Sequence, residues 1–175
     1  MAKEIKRGPK TLADARTKLT VLTVRPKNMK AITVAELTAG YDIQDFILKS
    51  DFQLGPSGSS TISEIELGAP GEGQAFGLSA GSGHVTIFRY LDQDGKPDPE
   101  ADVVFSLFKT KGTELTLVRR DGAPAGQAWK SGDEYSAFEV TNDDPQFPAD
   151  GSGYIKRPVP LAVGAMHLDQ TVAEA

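Results

Sequence analysis

Two histidines, His84 and His167, are the chain's whole supply of imidazole, and without cysteine there is no thiolate. General-base chemistry near neutral pH needs an imidazole in reach of a nucleophile, with a carboxylate to orient it. Each histidine falls in or beside a stretch that reads as strand, and no Ser, Asp or Glu is spaced to complete such a group. Both are read as surface or structural residues. HExxH does not occur, and among the many acids no carboxylate pair stands out.

Asp92, Asp94 and Asp98 around Gly95 have the look of a calcium loop. The glycine comes too early, no glutamate closes a twelve-residue loop, and Pro97 and Pro99 restrict the backbone. An acidic turn followed by a helix cap accounts for all three carboxylates. The six glycines between residues 68 and 83 form neither GxxxxGK[ST] nor GxGxxG, so they do not read as a phosphate cradle. The absence of cysteine also excludes disulfides and thiolate-bound zinc. No catalytic, cofactor-binding or metal-ligating residue is assigned, and no cofactor is expected.

The elements that hold these residues are mostly strands. From Gly83 to Arg120 the chain reads as strand, acidic turn, helix, glycine stop and strand. Asp98 is the expected N-cap, Pro99 sits at N1 and Gly112 follows the last turn, predicting one principal helix over about 98–111. Val103, Val104, Leu107 and Phe108 recur at helical spacing and are the candidate core stripe. His84–Tyr90, Glu114–Arg119, Leu19–Val24, Tyr135–Val140 and a final stretch from Tyr154 to Leu168 read as strands. Thr33 and Glu36 match a capping box for a short helix ending near Gly40. Tyr41–Leu54 and Thr61–Leu67 read as strands on either side of a GPSGSS turn, with a further short strand at Gln74–Leu78.

This pattern predicts a mainly β fold: an antiparallel β-sandwich or barrel-like subunit with one flanking α-helix. Its parts are an N-terminal arm (1–18), a single domain (19–168) with a long hairpin or loop around 41–83, and a short tail (169–175). At 175 residues one substantial core suffices. No apolar run is long enough to span a bilayer, and the basic start leads into TLADA rather than an apolar signal segment, so no membrane partner is expected.

The net charge of -5 is unevenly spread: residues 1–30 carry +7, residues 31–108 carry -9 and residues 109–175 carry -3. A basic arm before an acidic body fits nucleic acid or the acidic surface of a neighbouring copy. The second reading is favoured, since the cations are scattered and no aromatic platform accompanies them. Lys3, Lys6, Arg7, Lys10, Arg16 and Lys18 are the candidate inter-subunit cations. From residues alone, the chain is a structural or binding protein.

The order of several stretches goes further. TLADARTKLTVLTVRP, ITVAELTAGYDI, ILKSDFQLGPSGSSTISE, FRYLDQDG, GDEYSAFEVTNDDPQ and GYIKRPVPLAVGAMHLDQTVA together resemble the major tail proteins, or tail tube proteins, of long non-contractile-tailed phages of actinobacteria. The resemblance implies a non-enzymatic virion subunit assembled in the host cytoplasm, with six copies to a ring and stacked rings around a DNA channel. It also implies tape measure, tail terminator and tail-tip proteins as partners, and strands from every subunit in the inner wall. A channel must pass DNA without holding it, so acids facing the lumen would serve by repelling phosphates. Asp42, Asp45, Asp51, Glu64 and Glu66 are the candidates. The alternative is a β-sandwich binding module or another virion component, such as a capsid decoration protein.

Overall fold

The computed structural model describes residues 5–65, 67–68, 70–71 and 73–174. Seven strands form one antiparallel sheet: β1 (Thr17–Leu22), β2 (Tyr41–Asp42), β3 (Gln53–Ile62), β4 (Ala75–Phe88), β5 (Glu114–Asp121), β6 (Glu134–Asn142) and β7 (Lys156–Thr171). Their order is β2-β1-β5-β6-β7-β4-β3, so the sheet ends in two free strands, β2 and β3. This corrects the barrel-like expectation. The alternating sequences specify strands with two faces, but alternation says nothing about whether the outer strands meet.

The two faces are both covered, by different parts of the chain. On one, Leu19, Val21, Leu115, Leu117, Phe138, Val140, Val159, Leu161, Val85 and Ile87 make a buried cluster. The segment between β2 and β3 runs past this face: Ile43 N–H donates to Leu19 O, and Leu48 N–H donates to Thr86 O. On the other face Leu22, Val118, Tyr135 and Ala137 meet Met29, Ile32, Leu37, Trp129 and Val172.

The principal helix is the second correction. Among the described residues the helices are α1 (Val34–Thr38) and α2 (Val103–Phe108), of five and six residues. Asp98 does accept from Glu100 N and Ala101 N, yet it caps a turn instead of a continuous helix. Asp102 breaks the run. Its buried carboxylate takes a forked pair of bonds from Arg89 and a third from Tyr90 N–H, and its backbone leaves helical values at ψ 20°. An ion pair with the sheet thus outweighs one more helical turn.

Of the candidate core stripe, Val104 and Phe108 are buried and Leu107 packs half-buried against the same cluster, while Val103 is half-exposed. A helix of under two turns presents only one narrow stripe to the sheet. The Thr33–Glu36 capping box forms as read, with both side-chain-to-backbone bonds in place.

Two buried polar groups tie loops to the second face. Tyr135 Oη accepts from Ile32 N–H at 2.9 Å and donates to Met29 O at 3.0 Å, and burial raises its pKa above the ordinary 10.0. Arg120, only 2% exposed, donates to the Asp133 carboxylate and to the carbonyls of Pro124, Gln127 and Ala128, with its guanidinium 4.9 Å from the Trp129 ring centre. Desolvating a cation is unfavourable unless its donors find partners, and the bonds from its two terminal nitrogens fold residues 122–133 around it, while Nε is buried without a partner among the described residues.

Phe108→Ala should lower stability by about 3–5 kcal/mol, and Val103→Ala by less than about 1 kcal/mol. Urea unfolding of the dispersed subunit checks the contrast, and equal losses would contradict this packing.

Candidate functional site: assembly surfaces

The β3–β4 hairpin outruns the core. It pairs from Gln53 opposite His84 out to Ile62 opposite Ala75. Only its root is packed, where Leu54, Val85 and Ile87 are buried. Gly81 and Gly83 lie where a Cβ would strike Val163 and Leu161 at 2.6 and 2.9 Å, so the hairpin lies closely on β7 at this level. Farther out the described side chains of β4 are largely exposed. Phe76 and Leu78 share one face and are 84% and 86% exposed. Register shifts around Pro56 and Gly58, the latter at φ +101°, bend β3, which forms the sheet's outer edge.

The GPSGSS stretch expected to turn is therefore strand, and the hairpin is formed by residues 53–88. Its turn lies between Ile62 and Ala75.

A clasp fixes the hairpin root. Asp51 accepts from Thr86 Oγ1 at 2.5 Å and meets His84 Nε2 at 3.2 Å. The Thr86 hydroxyl and, less strongly, His84 hold the Asp51 carboxyl below its ordinary 3.8 against the opposing effect of desolvation. His84 has a carboxylate partner here but no hydroxyl nucleophile beside it among the described hydrogen bonds. His167 sits opposite Ala137 in the β6–β7 ladder. Asp92 folds back onto Asp94 N–H and Lys96 N–H. Among the described residues no group of three or more His, Asp or Glu side chains is placed to hold a metal.

The sequence-selected acids do not gather in one place. Asp42, in β2, binds Lys18 Nζ and Thr20 Oγ1. Asp45 is exposed in the segment before β3, Asp51 holds the clasp and Glu64 is exposed beyond the end of β3. Of the cations, Lys6, Arg7 and Lys10 are exposed on a segment without regular structure, Arg16 donates to Gly122 O, and Lys18 is buried against Asp42. Glu66 and Lys3 lie outside the described residues.

Beside the arm runs a groove of about 410 Å³. Ala13, Ala15, Leu19, Ile47 and Phe52 give it an apolar lining, and Arg119 and Lys49 stand with Asp45 on its polar side. Nothing in the sequence marks this groove, since its walls come from three separate segments, residues 13–19, 44–52 and 119–125.

The family model described as "Phage tail tube protein" matches residues 5–175. The chain belongs to that family. As a tail tube protein it is a structural component of the phage virion tail and not an enzyme. No curated protein matches the chain. The family resemblance was legible in the order of motifs, whereas the hairpin's extent was hidden by its glycine and serine content.

A depressed folded-state pKa contributes stability above the unfolded value and loses it as pH falls through the folded one. The stability difference between wild type and Asp51→Asn should therefore be largest above about pH 5, at no more than about 1 kcal/mol for this half-exposed pair, and vanish towards about pH 2. Denaturant midpoints across that range test it; a difference independent of pH would remove the clasp's ionic role.

Proposed function

We propose that six copies of this tail tube protein close into a ring, and that rings stack into a tube through which DNA leaves the virion. The observation that carries this reading is the hairpin. A strand pair that projects with an apolar face and a free edge is incomplete in a lone subunit. Ring closure gives edge strands partners, and a head-to-tail contact along the axis lets rings repeat.

Charge supports the channel reading. Between Phe52 and Phe88 the sequence carries Glu64, Glu66 and Glu72 and no Lys or Arg. A hairpin lining the lumen would present no cation to hold a phosphate, and its glutamates, with Asp45, would repel the backbone in transit. Asp42 and Asp51 serve this role less well, because Lys18 and the Thr86–His84 clasp occupy their carboxylates. The basic arm would reach acidic neighbours in an adjoining subunit or ring. Tape measure, tail terminator and tail-tip proteins complete the assembly, which takes place in the host cytoplasm.

Electron microscopy of the purified protein at rising concentration is the test. Hollow six-fold rings or tubes are expected, with Asp45 and Glu64 on the channel wall in a reconstruction. A persistent monomer contradicts the assembly, and a wall lacking both residues removes its electrostatic part.

A further inference from the structure

The subunit carries an apolar projection and an apolar groove, and its geometry keeps them apart. Phe76 and Leu78 alternate onto one face of β4, while the opposite face at Gly77 is closed by Ser60 and Ile62 side chains within 3.3 Å of where a Cβ would stand. The more exposed apolar surface is thus the Phe76–Leu78 face, with Ile62 half-exposed on the other. The groove beside the arm is lined by Ala13, Ala15, Leu19, Ile47 and Phe52, and the arm residues 5–12 before it are exposed.

The two cannot meet within one chain. Phe52 lies in the groove and is the residue before β3, whereas Phe76 pairs with Thr61 near the far end of that strand. Nine residues of extended chain separate them by roughly 30 Å. A paired strand does not double back over that distance, so the side chains that can reach this groove from a hairpin belong to another copy.

Charge favours the same pairing. The hairpin and its turn, residues 53–88, hold three acids and no Lys or Arg. Residues 5–18, which lead into the groove wall, hold five cations against Asp14 alone; Lys6, Arg7 and Lys10 are exposed, while Arg16 donates to Gly122 O and Lys18 is buried against Asp42. An acidic projection with an apolar face complements an apolar groove beside a basic arm.

We propose that the Phe76–Leu78 face of one subunit's hairpin docks in the Ala13–Phe52 groove of a second copy. The contact is heterologous, since projection and groove are different surfaces set roughly 30 Å apart. Each bound copy therefore offers a new groove and a new projection, and the contact propagates. This inference rests on the tube reading and specifies which surfaces its repeating contact uses.

The chain has no cysteine, so engineered thiols report the contact directly. Phe76→Cys and Ala13→Cys chains, mixed and oxidised under assembly conditions, should give a mixed disulfide dimer as the main product, and Leu78→Cys should behave like Phe76→Cys. A chain carrying both Phe76→Cys and Ala13→Cys should give a ladder of multimers that collapses to the 18.7 kDa subunit on reduction. Pairing either hairpin thiol with Glu100→Cys, beside α2, should give no mixed dimer.

Rings or tubes that form without the Phe76–Ala13 cross-link overturn this contact while leaving the tube reading intact. A fast-migrating monomer closed within one chain, or a product joining only Phe76→Cys to itself, also overturns it. Absence of any assembly overturns the tube reading and the contact together.

Discussion

A hairpin that extends past its own core cannot be held by that core. Its backbone bonds satisfy each strand against the other, but one edge and one apolar face remain, and a two-stranded ribbon is marginal in water. Burying side chains as exposed as Phe76 and Leu78 would contribute about 1.5–3 kcal/mol each, a gain that the proposed contact with a second copy would supply. The subunit is thus finished at its root and unfinished at its tip. Membership in the tail tube family gives that asymmetry a purpose.

The rest of the fold supplies the rigid base from which such a projection works. The segment from Ile43 to Phe52 binds β1 at one end and β4 at the other, so the hairpin root is anchored across the first face of the sheet. Arg89 and Asp102 fasten α2 to β4, and Arg120 gathers the loop between β5 and β6. All three ties are buried or nearly so. A buried ion pair adds little net stability compared with an apolar replacement, but leaving either partner unpaired is costly, which makes these contacts demanding about geometry. That is the property an interlocking subunit needs.

How much of this could be read beforehand follows from where a core exists. Strands β1, β5 and β6 announce themselves because alternating Leu, Val and Phe face a buried layer. The Thr33–Glu36 capping box is local, so sequence contains all of it. The helix at α2 was overestimated because Asp98, Pro99 and Gly112 are true local signals, while the competing pull on Asp102 comes from Arg89, thirteen residues away. The turn expected at residues 55–60 was misread for the opposite reason. Residues 55–60 have no core beneath them, so nothing selects alternation, and glycine and proline that usually mark a turn here mark bulges in an edge strand. The candidate acids were chosen from the charge of a segment, which carries no information on which carboxylates Lys18, Thr20 and Thr86 would take up. The groove, assembled from the arm, the segment before β3 and residues near 119–125, has no sequence signature at all.

The central claim is that assembly, and not the subunit's own core, stabilises the hairpin. Amide hydrogen exchange in dilute subunit and in assembled protein measures this directly. The account predicts that amides of residues 76–80 exchange about 100-fold more slowly after assembly, while those of β5 and β6 change little. Equal protection of residues 76–80 in both states would contradict it.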